Sequence, residues 1–238
     1  MKTKSYRTQK NIAIIVAAGT GSRMEAEIPK QFLELGGEPI LTHTLRAFDA
    51  SPLIDEIVLV VGAEPVNSMR QDVYVREEIV DRNGFRKVRH IVQGGRERHE
   101  SVRAGLACCT DAAYIFVQDA VRPFVTEKIL ERGWETVCRF GTAICGMPSK
   151  DTIKVTDESG RVLDTPDRSR TWIVQTPQIF AADLLRRAYD KLGTKDRGIT
   201  DDAMVVERAG GEVHMFPGDY RNIKITTPED LLLAEALQ

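Results

Sequence analysis

The chain has little of what would tie it to a disulfide scaffold, a nucleic acid or a membrane. Its 238 residues include only four cysteines, Cys108, Cys109, Cys138 and Cys145. Their spacings match no zinc pattern, and adjacent Cys108 and Cys109 make a poor start for a disulfide framework. Reduced thiols in a cytoplasmic protein are the expectation, with Cys108 and Cys109 serving helix packing. A marked excess of charge of one sign is also missing. There are 33 Lys and Arg against 35 Asp and Glu, a formal net charge of -2. A nucleic-acid partner would ask for a basic excess, so that class is set aside. No apolar run reaches the ~20 residues that a bilayer span needs. The run IAIIVAA at 12–18 enters a glycine-rich turn instead of a cleavage site. Residues 1–10, basic and polar, read as a frayed lead-in. Internal repeats and low-complexity tracts are absent. A hydrophobic content of 42% suits one domain over residues 1–238 with a substantial core.

The order of segments is informative. Ile12 to Ala17 is apolar and partly β-branched, as in a buried parallel strand. Further strands read at 56–62, 88–92, 113–119 and 141–148. Helices fall between them, near 39–49, after Gly94 and Gly95, and at 126–139. This alternation predicts an α/β layered fold. Two short alternating segments, 151–155 and 161–164, then flank TDESG and predict a β-hairpin turning at Gly160. A projecting arm of about 148–168 has little core of its own and calls for a packing partner, which a second subunit would supply. A strand at 171–180, helices near 181–192 and 201–209, and strand candidates at 212–218 and 222–226 follow. The closing helix has Thr227 as its N-cap, Pro228 in the first turn, and Asp230 offsetting the helix dipole.

The first strand ends in AAGTGSRMEAEIPKQF, residues 17–32. In open α/β sheets ligands bind beyond the carboxyl ends of strands. Gly19 and Gly21 let backbone N–H groups approach a phosphate, and Arg23 and Lys30 add positive charge. Phosphoryl or nucleotidyl transfer uses this combination, because negative charge collects on non-bridging oxygens in the transition state. The spacing fits neither the dinucleotide pattern G-x-G-x-x-G nor the P-loop. That argues against hydride transfer. Taken by itself, the segment reads equally as an ordinary strand-to-helix turn with two surface cations.

Five stretches together resemble the 2-C-methyl-D-erythritol 4-phosphate cytidylyltransferases of the non-mevalonate isoprenoid pathway. They are the glycine segment at 17–32, GGRERHESVRAGL at 94–106, DAVRPF at 119–124, DRSRTWIVQTPQIF at 167–180, and the span from TDDAMVVERAGGEV to NIKITTPEDL at 200–231. The resemblance implies a Rossmann-like nucleotidyltransferase fold with a mostly parallel mixed sheet and a hairpin dimerisation arm. It implies transfer of CMP from CTP, with magnesium, to 2-C-methyl-D-erythritol 4-phosphate. The related ribitol 5-phosphate cytidylyltransferases are the alternative, and they share PKQF, DAVRPF and IKITTP. The AAG opening and the 167–180 stretch favour the methylerythritol branch, while Val121 pulls slightly the other way.

By the same resemblance, Ala17, Ala18, Gly19 and Gly21 wrap the nucleotide, and Arg23 and Lys30 contact its phosphates. Gly94, Gly95 and Ser101 match the segment that recognises the cytosine and ribose. Asp119 matches the magnesium-binding carboxylate, although it also reads as a salt-bridge aspartate with Arg122. Arg122, Arg168 and Thr200 fall on the acceptor side, and Lys224 matches a second active-site lysine. Asp151 and Thr152 match the arm that crosses to the neighbouring subunit of a homodimer. His43, His90, His99 and His214 have no matched chemical role, and nothing points to a covalent serine intermediate.

Overall fold

A computed structural model describes residues 10–19, 24, 28–193 and 198–238. The elements in chain order are β1 (Lys10–Ala17), a single 3-10 turn (Lys30–Phe32), β2 (Glu34–Leu35), β3 (Glu38–Pro39), α1 (Ile40–Ala50) and β4 (Glu56–Val61). Next come α2 (Gln71–Tyr74), which widens into a π-helical stretch (Val75–Asp81), then β5 (Val88–Gln93), α3 (Arg98–Leu106), β6 (Ala112–Asp119), α4 (Glu127–Phe140) and β7 (Thr142–Pro148). The chain continues with β8 (Val155–Thr156), β9 (Val162–Asp164), a 3-10 turn (Arg168–Arg170) and β10 (Trp172–Ala181). It closes with α5 (Ala182–Lys191), α6 (Asp202–Arg208), β11 (Met215–Pro217) and α7 (Pro228–Leu237).

Seven strands form one sheet in the order β11-β7-β10-β6-β1-β4-β5. β1 pairs in parallel with β4 and β6, β4 with β5, and β11 with β7. Only β10 runs antiparallel, between β6 and β7. The mostly parallel mixed sheet anticipated from the sequence is therefore present. Its central strands are continuous apolar runs because both faces are covered. Side chains alternate across the sheet. Ile15, Leu59 and Phe116 meet Leu45 and Phe48 of α1 and Leu130 of α4 on one face. Ile14, Val60 and Val117 meet Val102 of α3, Leu185 of α5 and Val205 of α6 on the other. α3 lies so close to β1 that a Cβ on Gly105 would sit 2.6 Å from Ile14 Cγ2.

Helix ends follow local chemistry. α4 stops at Gly141, whose φ of 76° is in the left-handed region that glycine enters without a Cβ penalty. α7 starts with a capping box: Thr227 accepts from the Asp230 backbone, and Asp230 reaches back to the Thr227 N–H.

The sequence reading needs several corrections. Residues 222–226 form no strand. Ile223 and Ile225 alternate because they pack beneath α7 with Leu35, Val121 and Ala234, away from any ladder. The segment is fixed instead by Asn222, whose Nδ2 donates to the Thr176 carbonyl at 2.9 Å. The strand anticipated over 212–218 contracts to Met215–Pro217. The helical stretch over 71–81 and the β2–β3 pair were not anticipated. The hairpin is present but shorter, with Val155 facing Asp164 and Thr156 facing Val162 in a separate two-stranded sheet. Residues 151–154 precede its strands. Residues 1–9 of the expected lead-in lie outside the described residues. No helix among the described residues is long and apolar enough to cross a membrane.

Candidate active site

β1 lies at the point where the strand order reverses, with β4 on one side and β6 on the other. Connections leave in opposite directions there, so a crevice opens beyond the strand ends. Val16 is in register with Asp119, so β1 and β6 deliver Ala17 and Asp119 to the same crevice. Lys30 follows in the 3-10 turn and is only 9% exposed. Its neighbour Gln31 clamps that turn onto β1 by donating from Nε2 to the Ala17 carbonyl at 2.5 Å.

A cavity of about 200 Å³ results. One wall is Ala17, Ala18, Gly19 and Lys30. A second is Gly95, Arg98 and Ser101 at the start of α3. Asp119, Val121 and Lys224 also line it. The turn before α3 is held by Glu100, which accepts backbone N–H bonds from Arg96 at 2.7 Å and Glu97 at 3.1 Å. Ser101 Oγ accepts from the Gly95 N–H at 3.2 Å. Gly94 is required by close approach: a Cβ there would lie 2.5 Å from Ser101 Oγ and 2.6 Å from the Ala18 Cβ. The two glycine-bearing loops therefore touch.

Asp119 is the electrostatic centre. It is 6% exposed, and its N–H donates to Thr176 Oγ1 at 3.0 Å. Arg98 Nε lies 3.1 Å from its Oδ1, Lys224 Nζ 2.9 Å from its Oδ2, and Arg122 Nε 3.7 Å from its Oδ2. Burial pushes the carboxyl up, but the charges of Arg98, Lys224 and Arg122 outweigh it and hold Asp119 well below the usual carboxylate range. Burial also opposes the charged form of Arg98, which Asp202 and Asp119 more than offset. For Arg122 the burial effect prevails and the guanidinium is pushed down, despite Asp119. Its Nη1 donates to the Asn222 carbonyl at 2.8 Å.

The structure thus gathers Ala17, Ala18, Gly19, Lys30, Gly95, Ser101, Asp119 and Lys224, with Gly94 and Arg122 against them. Gly21 and Arg23 lie outside the described residues. Asp151, Thr152, Arg168 and Thr200 are exposed and lie apart from the cavity lining. Arg168 Nη1 donates to the Lys150 carbonyl, at 3.4 Å. The salt-bridge reading of Asp119 is seen directly, since Arg122, Arg98 and Lys224 all approach its carboxylate.

Sequence reasoning missed Arg98 and Asp202. Arg98 opens α3 and bridges Asp119 to Asp202, which lies 2.7 Å from its Nη1. Both residues sit inside stretches singled out above, at helix starts facing the strand ends. Opposite charges at those two positions were the available signal.

Among the described residues, no cluster of three His, Cys, Asp or Glu side chains could hold a metal ion. A lone buried carboxylate beside lysines and a glycine loop fits magnesium that arrives with phosphates, because Mg²⁺ keeps waters and uses one or two protein carboxylates. The cations and backbone N–H groups fit a polyphosphate.

Known proteins share this chain's sequence and fold. Residues 11–238 match the family model described as IspD, 2-C-methyl-D-erythritol 4-phosphate cytidylyltransferase. The chain is 45% identical over 229 residues to the enzyme of that description from Clostridium botulinum (strain 657 / Type Ba4), covering 96% of this chain and 97% of that one. It is 47% identical over 228 residues to the one from Geobacter metallireducens, covering 94% and 95%. The solved 4-diphosphocytidyl-2C-methyl-D-erythritol synthase of Anaerococcus prevotii superposes with a TM-score of 0.83 at 31% identity, over 97% of this chain and 96% of that one. With fold and sequence in agreement along nearly its whole length, the chain belongs to the 2-C-methyl-D-erythritol 4-phosphate cytidylyltransferase family.

Proposed function

We propose that this chain transfers CMP from CTP to 2-C-methyl-D-erythritol 4-phosphate, giving 4-diphosphocytidyl-2-C-methyl-D-erythritol and pyrophosphate. The observation that carries the reading is the convergence of Lys30, Lys224 and the buried Asp119 on one cavity beneath the glycine loop. An oxygen of the acceptor phosphate attacks the α-phosphorus of CTP, the bond to the β-phosphate oxygen breaks, and pyrophosphate leaves with that electron pair. The acceptor phosphate is already anionic at neutral pH, so no general base is needed. Lys30, Lys224 and Arg23 stabilise the charge that builds on the phosphate oxygens, and catalysis comes from that and from alignment.

Ala17, Ala18, Gly19 and Gly21 follow the triphosphate, while Gly94, Gly95 and Ser101 receive the cytosine and ribose. Magnesium held by Asp119 and the phosphates would neutralise phosphate charge. Arg122, Arg168 and Thr200 serve the acceptor. Arg168, Asp151 and Thr152 are exposed and apart from the cavity, a position that suits a homodimer in which the arm completes a neighbouring site. Val155, Val162 and Leu163 on the hairpin are exposed, as are Ile173 and Val174 where β10 begins. These apolar side chains support an arm that packs on a second subunit. The four unbridged cysteines fit a cytoplasmic setting.

The test is pyrophosphate release from CTP and Mg²⁺, with 2-C-methyl-D-erythritol 4-phosphate or ribitol 5-phosphate offered in parallel. Release with the first acceptor alone is expected. Release with ribitol 5-phosphate alone would keep the mechanism and overturn the acceptor.

A further inference from the structure

Behind Asp119 runs a buried polar chain that the reaction above does not use. Arg98 Nε donates to Asp119 Oδ1 at 3.1 Å, and Arg98 Nη1 donates to Asp202 Oδ2 at 2.7 Å. The Tyr189 hydroxyl donates to the other oxygen, Asp202 Oδ1, at 2.6 Å. Asp202 is fully buried. It stands in the first turn of α6, where a carboxylate could simply serve the helix start, but that task is already done. The Asp201 side chain accepts from the Met204 N–H, and Gln178 Oε1 accepts from the N–H groups of Asp202 and Ala203. Both carboxylate oxygens of Asp202 are therefore free for Arg98 and Tyr189. A buried carboxylate is costly without such partners.

We propose that Asp202, supported by Tyr189, is a positioning residue for cytidylyl transfer: through Arg98 it fixes the Oδ1 edge of Asp119 and leaves Oδ2 as the edge exchanged between Lys224 and the metal–nucleotide.

The reason is charge sharing. Arg98 stands between two carboxylates, so its single positive charge is shared between them. Its Nη2 is buried without a hydrogen-bond partner among the described residues. Without the Asp202 charge, that guanidinium has one carboxylate left to satisfy it. A fork of donors then favours bidentate capture of Asp119. Both oxygens would be engaged, and the carboxylate would become a poorer ligand. Groups that orient metal-binding carboxylates change metal affinity by about 10–100-fold.

This rests on the reading of Asp119 as the metal carboxylate, so the experiment separates the two. Mn²⁺ binding to the full chain with CTP, without acceptor, is followed by electron paramagnetic resonance. Asp119→Asn is expected to lose the Mn²⁺ site. Asp202→Asn is expected to weaken Mn²⁺ about tenfold, and to raise the Mg²⁺ needed for half-maximal transfer in parallel, while kcat at saturating metal changes far less. Tyr189→Phe removes one hydrogen bond, keeps the Asp202 charge, and should weaken Mn²⁺ about threefold. Retained Mn²⁺ binding in Asp119→Asn would overturn the metal reading and this proposal with it. Loss in Asp119→Asn with unchanged affinity in folded Asp202→Asn would overturn the positioning role alone. Should Asp202→Asn fail to fold, unchanged affinity in Tyr189→Phe does the same.

Discussion

Lys224 Nζ lies 2.9 Å from Asp119 Oδ2, the oxygen that Arg122 Nε also approaches at 3.7 Å. Lysine and carboxylate neutralise each other across residues 119 and 224, and both line the cavity. A polyphosphate with its metal can break that pair by offering each partner a replacement: phosphate oxygens for Lys224 and a cation for Asp119. Lys224→Ala should therefore lower turnover by about 10²–10³, the cost of removing one charge-stabilising donor. Steady-state pyrophosphate release measures it, and turnover near that of the unaltered enzyme would contradict the role.

Lys30→Ala should cost turnover on the same scale, while circular dichroism shows the fold retained. Lys30 enters the cavity from a turn anchored by Gln31, so its loss removes charge without disturbing the sheet. A variant with normal turnover would remove Lys30 from the mechanism.

The pH dependence of stability has a definite sign. The native Asp119 pKa is held well below its unfolded value of about 3.9. A depressed carboxylate contributes stability that is fully present above the unfolded pKa and is lost as pH falls through the native one. The stability difference between the parent chain and Asp119→Asn should then stay flat at neutral and mildly acid pH, and change only below about pH 4. Denaturant unfolding at a series of pH values checks this. A change already under way near neutrality would show that Asp119 is not held down.

Gly94→Ala should impair nucleotide binding and Gly105→Ala should impair folding. The first would force a methyl between Ser101 and Ala18, inside the cavity wall, and raise KM for CTP. The second would press on Ile14 in the core and cost about 1–3 kcal/mol, the usual range for overpacking. Kinetics and thermal unfolding of both variants separate the two effects.

Leu163→Asp on the hairpin should weaken a homodimer without unfolding the monomer, because Leu163 is 56% exposed and supports no core. Sedimentation velocity reads the association state. An unchanged dimer would move the interface elsewhere on the surface.

Much of the fold was legible locally. The runs at Ile12 to Ala17 and Glu56–Val61 announce strands covered on both faces, because such strands need no polar side. Thr227, Pro228 and Asp230 announce the start of α7, because a capping box is satisfied within four residues. Lys30, Ser101, Asp119 and Lys224 stood out inside quoted stretches, and the structure brings them into one cavity.

Other features were decided only by tertiary packing. Residues 222–226 alternate like a strand, yet Ile223 and Ile225 bury beneath α7 and Asn222 is held by side-chain bonds. Alternation records which side chains are buried, and it does not record a neighbouring strand. Arg98 and Asp202 lie 104 residues apart, and nothing local in either helix start requires the other. Sequence by itself determined the doubly covered strands such as β1 and β4, the α7 cap and the stock of charged groups, because each depends on near neighbours along the chain. The stacking of α3 and α6 on one face of the sheet decided which charges meet, because an ion pair depends on distance in space and burial, and both are set only when the layers close.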